Sequence, residues 1–230
     1  MGVEGIIFDV DGLLVDTEKI HVEAWKNVFS EEGIYLTKGD YEKGVGFADK
    51  EFLLQLKGNG KIPENSDIDK LCKEKEKYFL EIIKDGINTF DGVFETIEFL
   101  KEKELKIAAA SNSKKVLVKS VLEYSNLIKF FDFFVAREDV ENPKPSPDIY
   151  EKAVKLMKLK KENVIVFEDS EVGIRAAKKA GLFCIAVAST QEYDKLKKAD
   201  IIIEKIEKRK IEEILIEMEK KTSDWQKNGC

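Results

Sequence analysis

The strongest constraint on the fold is a series of short, largely apolar runs at residues 5–8, 105–110, 133–135, 164–167, 183–188 and 201–203. Runs of this length, rich in Ile, Val, Phe and Ala and closed by polar or turn residues, predict β-strands. They show little polar alternation, so each strand is expected to be covered on both faces. Helical patterns lie between them. Segment 92–104 places Val93, Ile97 and Leu100 on one face, and 113–124 and 147–158 are amphipathic too. Segment 171–180 carries Gly173, Ala176, Ala177 and Ala180, small residues that allow close helix–sheet packing, with Gly181 as terminator. Strand–helix alternation of this kind predicts an α/β fold with a parallel sheet between helical layers.

Residues 14–86 break the alternation. They hold no convincing long strand, and 17–32, 48–57 and 66–84 read as helices separated at Gly33, Gly44-Val45-Gly46 and Gly58-Asn59-Gly60. So long a crossover after the first strand is better read as an inserted helical subdomain. A chain of 230 residues, 43% hydrophobic, is large enough for a core domain carrying a smaller one. Net charge is −6 with both signs interspersed, which argues against a nucleic-acid partner. Cys72, Cys184 and Cys230 have no metal-ligand spacing, and an odd, scattered set fits a reducing cytoplasmic setting. No apolar stretch approaches the roughly 18 residues of a membrane span, so no membrane partner is expected. Residues 222–230 are expected to form a frayed tail.

In open parallel sheets ligands bind beyond the carboxyl ends of the strands. The first strand delivers Asp9-Val10-Asp11-Gly12 there, the second Ser111-Asn112-Ser113, and the run at 164–167 delivers Glu168-Asp169-Ser170. A further loop, Asn142-Pro143-Lys144-Pro145-Ser146-Pro147-Asp148, brackets Lys144 with prolines that restrict its backbone. Each piece has an ordinary reading: an acidic turn, a helix cap, a solvated lysine. Together they gather three or four carboxylates, a hydroxyl and a pinned cation at one sheet edge. Carboxylates that close repel each other unless a cation relieves them, and a hard ion such as Mg²⁺ takes oxygen ligands. That is the composition of metal-plus-phosphate chemistry.

These four motifs, in this order, make the chain resemble the haloacid dehalogenase superfamily of aspartate-nucleophile phosphotransferases. The wording of 11–18, 142–148 and 167–174 is closest to its β-phosphoglucomutase-like branch. The resemblance implies a Rossmann-like core from 1–14 and 87–221 and an inserted α-helical cap over 15–86. It implies Asp9 as nucleophile, Asp11 as general acid and base, Ser111 and Lys144 as phosphoryl-binding groups, and Mg²⁺ as cofactor. The ion would be held by Asp9, the Asp11 backbone carbonyl and Asp169, with Glu168 either a ligand or a support behind one.

The same resemblance puts His21 at the cap–core hinge, where it would order the general acid, and makes 44–47 the specificity loop. There Phe47 occupies the place where β-phosphoglucomutases carry an arginine, and the segment 15–86 has no arginine at all. Lys50 or Lys43 could stand in for it, but the simpler reading is a monophosphate substrate, with Asn112 and Lys114 as further candidate contacts to substrate. The expected activity is hydrolysis of small phosphate monoesters, sugar phosphates first, by a monomer. A β-phosphoglucomutase-type mutase is the alternative, and a non-catalytic receiver-like module a weaker one.

Overall fold

The computed structural model describes residues 2–84 and 86–228, with side chains as far as Lys220. In chain order the elements are β1 (Gly5–Phe8), α1 (Glu18–Glu31), α2 (Lys38–Glu42), α3 (Asp49–Gly58), α4 (Ile68–Ile83), α5 (Val93–Glu102) and β2 (Lys106–Ala110). There follow α6 (Lys115–Tyr124), β3 (Phe133–Val135), α7 (Asp148–Met157), β4 (Val164–Glu168), α8 (Glu171–Lys179), β5 (Phe183–Val187), α9 (Tyr193–Leu196), β6 (Ile201–Ile203) and α10 (Lys208–Asn228). The α/β fold and the parallel sheet match the sequence expectation. The one-turn helix α2, the short α9 and the long α10 were not expected. Of the tail expected at 222–230, the backbone continues α10 to Asn228, while residues 229–230 and the tail's side chains lie outside the described residues.

All six strands pair in parallel in the order β3-β2-β1-β4-β5-β6. β1 therefore lies between β2 and β4, and the chain reverses its direction of winding there. That crevice, at the carboxyl ends of β1 and β4, is where an open α/β sheet opens a ligand site.

Alternation along the strands divides the apolar residues between two cores. Ile6, Phe8, Ile107, Ala109, Ile165, Phe167, Ile185 and Val187 face one side, against α5, α6 and α10. Ile7, Ala108, Ala110, Val164, Val166, Cys184 and Ala186 face the other, against α7, α8 and α9. A third cluster, with Trp25, Phe29, Tyr41, Phe52, Leu53, Leu56, Ile62 and Leu71, lies wholly within the segment inserted between β1 and α5. Those helices are not independent of the sheet. Ala24 of α1 and Phe79 and Ile83 of α4 belong to the first sheet core, so both helices run from one core into another.

Among the described residues no helix is long and apolar enough to cross a membrane. Phe8 is fully buried and stacks on Phe167 with ring centroids 4.9 Å apart. Phe8→Ala is expected to lower unfolding free energy by about 3–5 kcal/mol, read as a shift in the urea midpoint at unchanged slope.

Candidate active site

The cluster at the carboxyl ends of β1 and β4 is built around one buried ammonium. Lys144 Nζ donates to Asp9 Oδ1 at 2.6 Å, to Glu168 Oε1 at 2.7 Å and to the Ala110 carbonyl at 2.9 Å. Its side chain is 2% exposed. Burial works to discharge it, but the Asp9 and Glu168 carboxylates outweigh that and raise its pKa. Asn112 sets its backbone: Oδ1 accepts from the Lys144 N–H at 2.9 Å, and Nδ2 donates to the Lys144 carbonyl at 3.2 Å.

Glu168 is saturated. Besides Lys144, Oε1 accepts from the Tyr150 hydroxyl, while Oε2 accepts from Asp169 N–H, Ser170 N–H and the Ser170 hydroxyl at 3.1–3.3 Å. A carboxylate offers about four lone-pair positions, so Glu168 is committed to holding Lys144 and the turn into α8. This is what Gly173 is for. A Cβ there would lie 1.7 Å from Glu168 Oε1 and 2.0 Å from Cδ. The small residue read as a helix–sheet contact is in fact the floor beneath a carboxylate.

Ligand atoms of Asp9, Glu168 and Asp169 all lie within 4.8 Å of one another. Asp169 is buried, and among the described residues no lysine or arginine pairs with it. Burial, with the neighbouring carboxylates adding to it, pushes Asp9 and Asp169 well above the usual carboxylate range, though Lys144 opposes it at Asp9 and Thr190 at Asp169. Three carboxylates around a single ammonium leave two negative charges unmatched, and a divalent cation would match them. The residues present therefore fit Mg²⁺.

Asp11 does not join that cluster. Its Oδ1 accepts from Thr17 Oγ1 at 2.9 Å and His21 Nε2 at 3.2 Å. Its Oδ2 accepts from the Ser111 and Ser113 hydroxyls, both at 2.8 Å. Burial works against ionisation, but hydrogen bonds from His21, Ser113 and Ser111 hold the carboxyl well below its usual range. Behind His21 stands Lys75, fully buried, which donates to His21 Nδ1 at 2.6 Å and pairs with Asp49 at 2.9 Å. An ammonium only donates, so His21 Nδ1 accepts and the Nε2 hydrogen points at Asp11.

The inserted helices close over these groups and leave a cavity of about 70 Å³, well under the ~300–1,000 Å³ of ordinary small-molecule sites. Its roof is Val22, Trp25, Tyr41, Val45, Phe47 and Phe52. Gly46, at φ 81°, rests on the loop after β4: a Cβ there would lie 2.7 Å from Ser170 Oγ. The Gly46 carbonyl accepts from Asn112 Nδ2 at 2.9 Å. Asn112 thus spends its whole amide joining the Lys144 loop to the roof.

His21, Phe47, Asn112 and Ser111 line the cavity. Lys50 and Lys114, expected as substrate contacts, do not. Lys50 is exposed and lies 3.4 Å from Asp69, and Lys114 is drawn to Glu76 of α4 at 2.6 Å. Each is turned to a carboxylate outside the cavity. Ser113 was placed at the end of the second strand without a role, and Thr17, Lys75, Tyr150 and Thr190 were not anticipated. Thr190 could have been found by the rule that singled out Ser111 and Ser113, since it too follows the end of a strand. Lys75 could not, because it sits among alternating Lys and Glu in 73–77.

Residues 6–187 match the family model of haloacid dehalogenase-like hydrolases. The chain belongs to that family. A phosphorylated carbohydrates phosphatase of Thermotoga maritima is 34% identical over 182 residues, 78% of this chain and 82% of the relative. Among solved structures, β-phosphoglucomutase from Clostridium difficile superimposes with a TM-score of 0.85 at 26% identity, covering 96% of this chain and 99% of its own. Protein CbbY from Rhodobacter sphaeroides, solved in complex with phosphate, gives 0.82 at 27% identity over 89% and 95% of the two chains.

In this family member Gly173 is predicted to be irreplaceable. Gly173→Ala should displace Glu168 and cost at least about 1–3 kcal/mol of stability from overpacking alone, measured by urea unfolding.

Proposed function

We propose that this protein is a divalent-metal-dependent phosphatase of small phosphate monoesters, sugar monophosphates first, acting through an aspartyl phosphate on Asp9. The observation that carries the reading is the pairing of Asp9 with Lys144 beside Asp169, under an apolar roof and next to a second, separately held carboxylate. The named activity of the Thermotoga maritima relative, a phosphorylated carbohydrates phosphatase, supports it.

In the first half-reaction an Asp9 oxygen attacks phosphorus, and the bond from phosphorus to the ester oxygen breaks as the new one forms. Asp11, ionised in the closed arrangement, takes up a proton from solvent as substrate draws its serine donors away, and gives that proton to the departing alcohol oxygen. In the second half a water attacks the same phosphorus, Asp11 takes its proton, and inorganic phosphate leaves a restored Asp9. Lys144 holds positive charge beside Asp9 throughout. A divalent ion held by Asp9 and Asp169, and by the Asp11 carbonyl as the family resemblance implies, would offset charge on the phosphoryl oxygens. Ser111 and Ser113 present hydroxyls that a phosphoryl oxygen can take over from Asp11, releasing one side of the acid as substrate arrives. His21, oriented by Lys75, keeps hold of the other side. The small cavity requires the inserted helices to lift for substrate and to close again, excluding bulk water from the phosphoenzyme.

The roof bears on the leaving group. Among the cavity-lining residues the one lysine is Lys144, and the ionisable groups contributed by the inserted segment are Glu18, His21, Tyr41 and Asp49. Burial raises the Glu18 carboxyl, and Asp49 is matched by Lys75. A second phosphate would find no cation there, so monophosphates are favoured over bisphosphates. The fold likeness to β-phosphoglucomutase favours a second reading, in which the phosphoenzyme returns its phosphate to a sugar.

Purified protein is expected to release inorganic phosphate from a panel of sugar monophosphates, with loss of activity in EDTA and recovery on adding Mg²⁺. Asp9→Asn should lose on the order of 10⁴-fold or more in kcat, and substantial turnover by that variant would overturn the aspartyl-phosphate route. With β-glucose 1-phosphate as substrate, phosphate release should exceed formation of glucose 6-phosphate, whereas the reverse ratio establishes the mutase. Phe47→Arg adds a charged fork to the roof. It should raise kcat/KM for a sugar bisphosphate relative to its monophosphate by roughly tenfold.

A further inference from the structure

The loop after β5 carries none of the four motifs, yet it is sewn into both loops that bear the carboxylates. Ser189 Oγ donates to the Gly12 carbonyl at 2.6 Å. Thr190 Oγ1 donates to the Asp169 carboxylate and lies 3.3 Å from the Asp169 carbonyl oxygen. Gln191 Oε1 accepts from the Glu171 N–H at 2.9 Å. Three successive side chains thus bind the chain after β1 and the chain after β4. Gly12 makes room for this. Its φ is 75°, and a Cβ on it would lie 2.5 Å from Asp169 Oδ2 and 2.6 Å from Thr190 Cγ2.

Among the described residues Thr190 is the one side chain that donates to the Asp169 carboxylate. Asp9 has Lys144 to orient it, and Glu168 has five donors, but Asp169 has this hydroxyl alone. A carboxylate anchored through Oδ2 cannot turn freely about its last bond, and its other oxygen keeps a fixed direction. Groups that orient a metal-binding carboxylate in this way typically govern affinity for the ion.

We propose that Thr190 is the positioning residue of Asp169, and that through it the loop after β5 sets the affinity of the site for its divalent cation. The proposal rests on the metal assignment made above. It predicts that losing the hydroxyl weakens metal binding while leaving the chemistry intact once the metal is saturating.

Thr190→Val removes the hydroxyl at nearly constant shape, and Thr190→Ser keeps it. Mg²⁺ is titrated by calorimetry into the metal-stripped protein, with melting temperatures recorded in parallel with and without Mg²⁺. Thr190→Val should bind Mg²⁺ roughly 10–100-fold more weakly and show a smaller Mg²⁺-induced rise in melting temperature. Thr190→Ser should stay within about threefold of the wild type. At saturating Mg²⁺ the Thr190→Val variant should regain most of its kcat. If Thr190→Val does not fold, Thr190→Ala serves in its place. A folded variant without the hydroxyl that binds Mg²⁺ within threefold of the wild type overturns the role, as does Thr190→Ser binding as weakly as Thr190→Val. Wild-type protein that takes up no Mg²⁺ overturns the metal assignment itself, and this role with it.

Discussion

The site depends on one buried cation shared between two carboxylates. Lys144 is held by Asp9, Glu168 and a strand-end carbonyl, and every neighbour is arranged to make that burial tolerable. Removing one member of a buried pair strands the other, at a cost of about 3–5 kcal/mol. That explains why so much structure is devoted to it. Tyr150 and the α8 turn occupy the rest of Glu168, Gly173 leaves the space Glu168 needs, and Asn112 grips the lysine's own backbone. The third carboxylate, Asp169, is left over from this pairing, and the surplus charge makes the cluster receptive to a divalent ion.

The sheet makes the arrangement possible. With β1 between β2 and β4, residues far apart in sequence leave neighbouring strand ends. Asp9 follows β1, Ser111 follows β2, Lys144 comes from the loop between β3 and α7, Asp169 follows β4 and Thr190 follows β5. Carboxylates, hydroxyls and one ammonium thus come from separate strand ends, and the parallel register keeps them level. The two carboxylates of the Asp9–Asp11 pair, separated by one residue, end in different environments. Asp9 is joined to the ammonium, and Asp11 is held by three hydroxyls and an imidazole N–H.

Most of the sheet domain was legible because buried parallel strands are written almost wholly in Ile, Val, Phe and Ala, a pattern that survives without knowledge of partners. The observed strands fall within a residue of the expected ones. The strand order was not legible, since it depends on helix crossings that leave no local mark. Helix α2 was too short to show a period, and its Thr37–Asp40 capping box was the available signal. At the site, strand-end logic found the residues that belong to motifs and stopped there. Lys75 was hidden because a buried ammonium and a solvated one look alike within a Lys/Glu-rich helix. Lys50 and Lys114 looked available for the same reason, and each proved to have a carboxylate at hand.

The two long inserted helices pass from one apolar core to another. Their ends near the sheet carry His21, Ala24, Phe79 and Ile83, while their far ends carry Trp25, Phe29, Leu71 and Cys72 in a cluster of their own. Trp25 joins the two, since its ring lies 5.8 Å from the Lys75 ammonium that holds His21, but changes elsewhere in the far cluster reshape the roof without touching the contacts that hold Asp11. The boundary between the two apolar clusters runs not between two domains but across the middle of α1 and α4. A new specificity can be acquired on the outer half of a helix whose inner half stays the same.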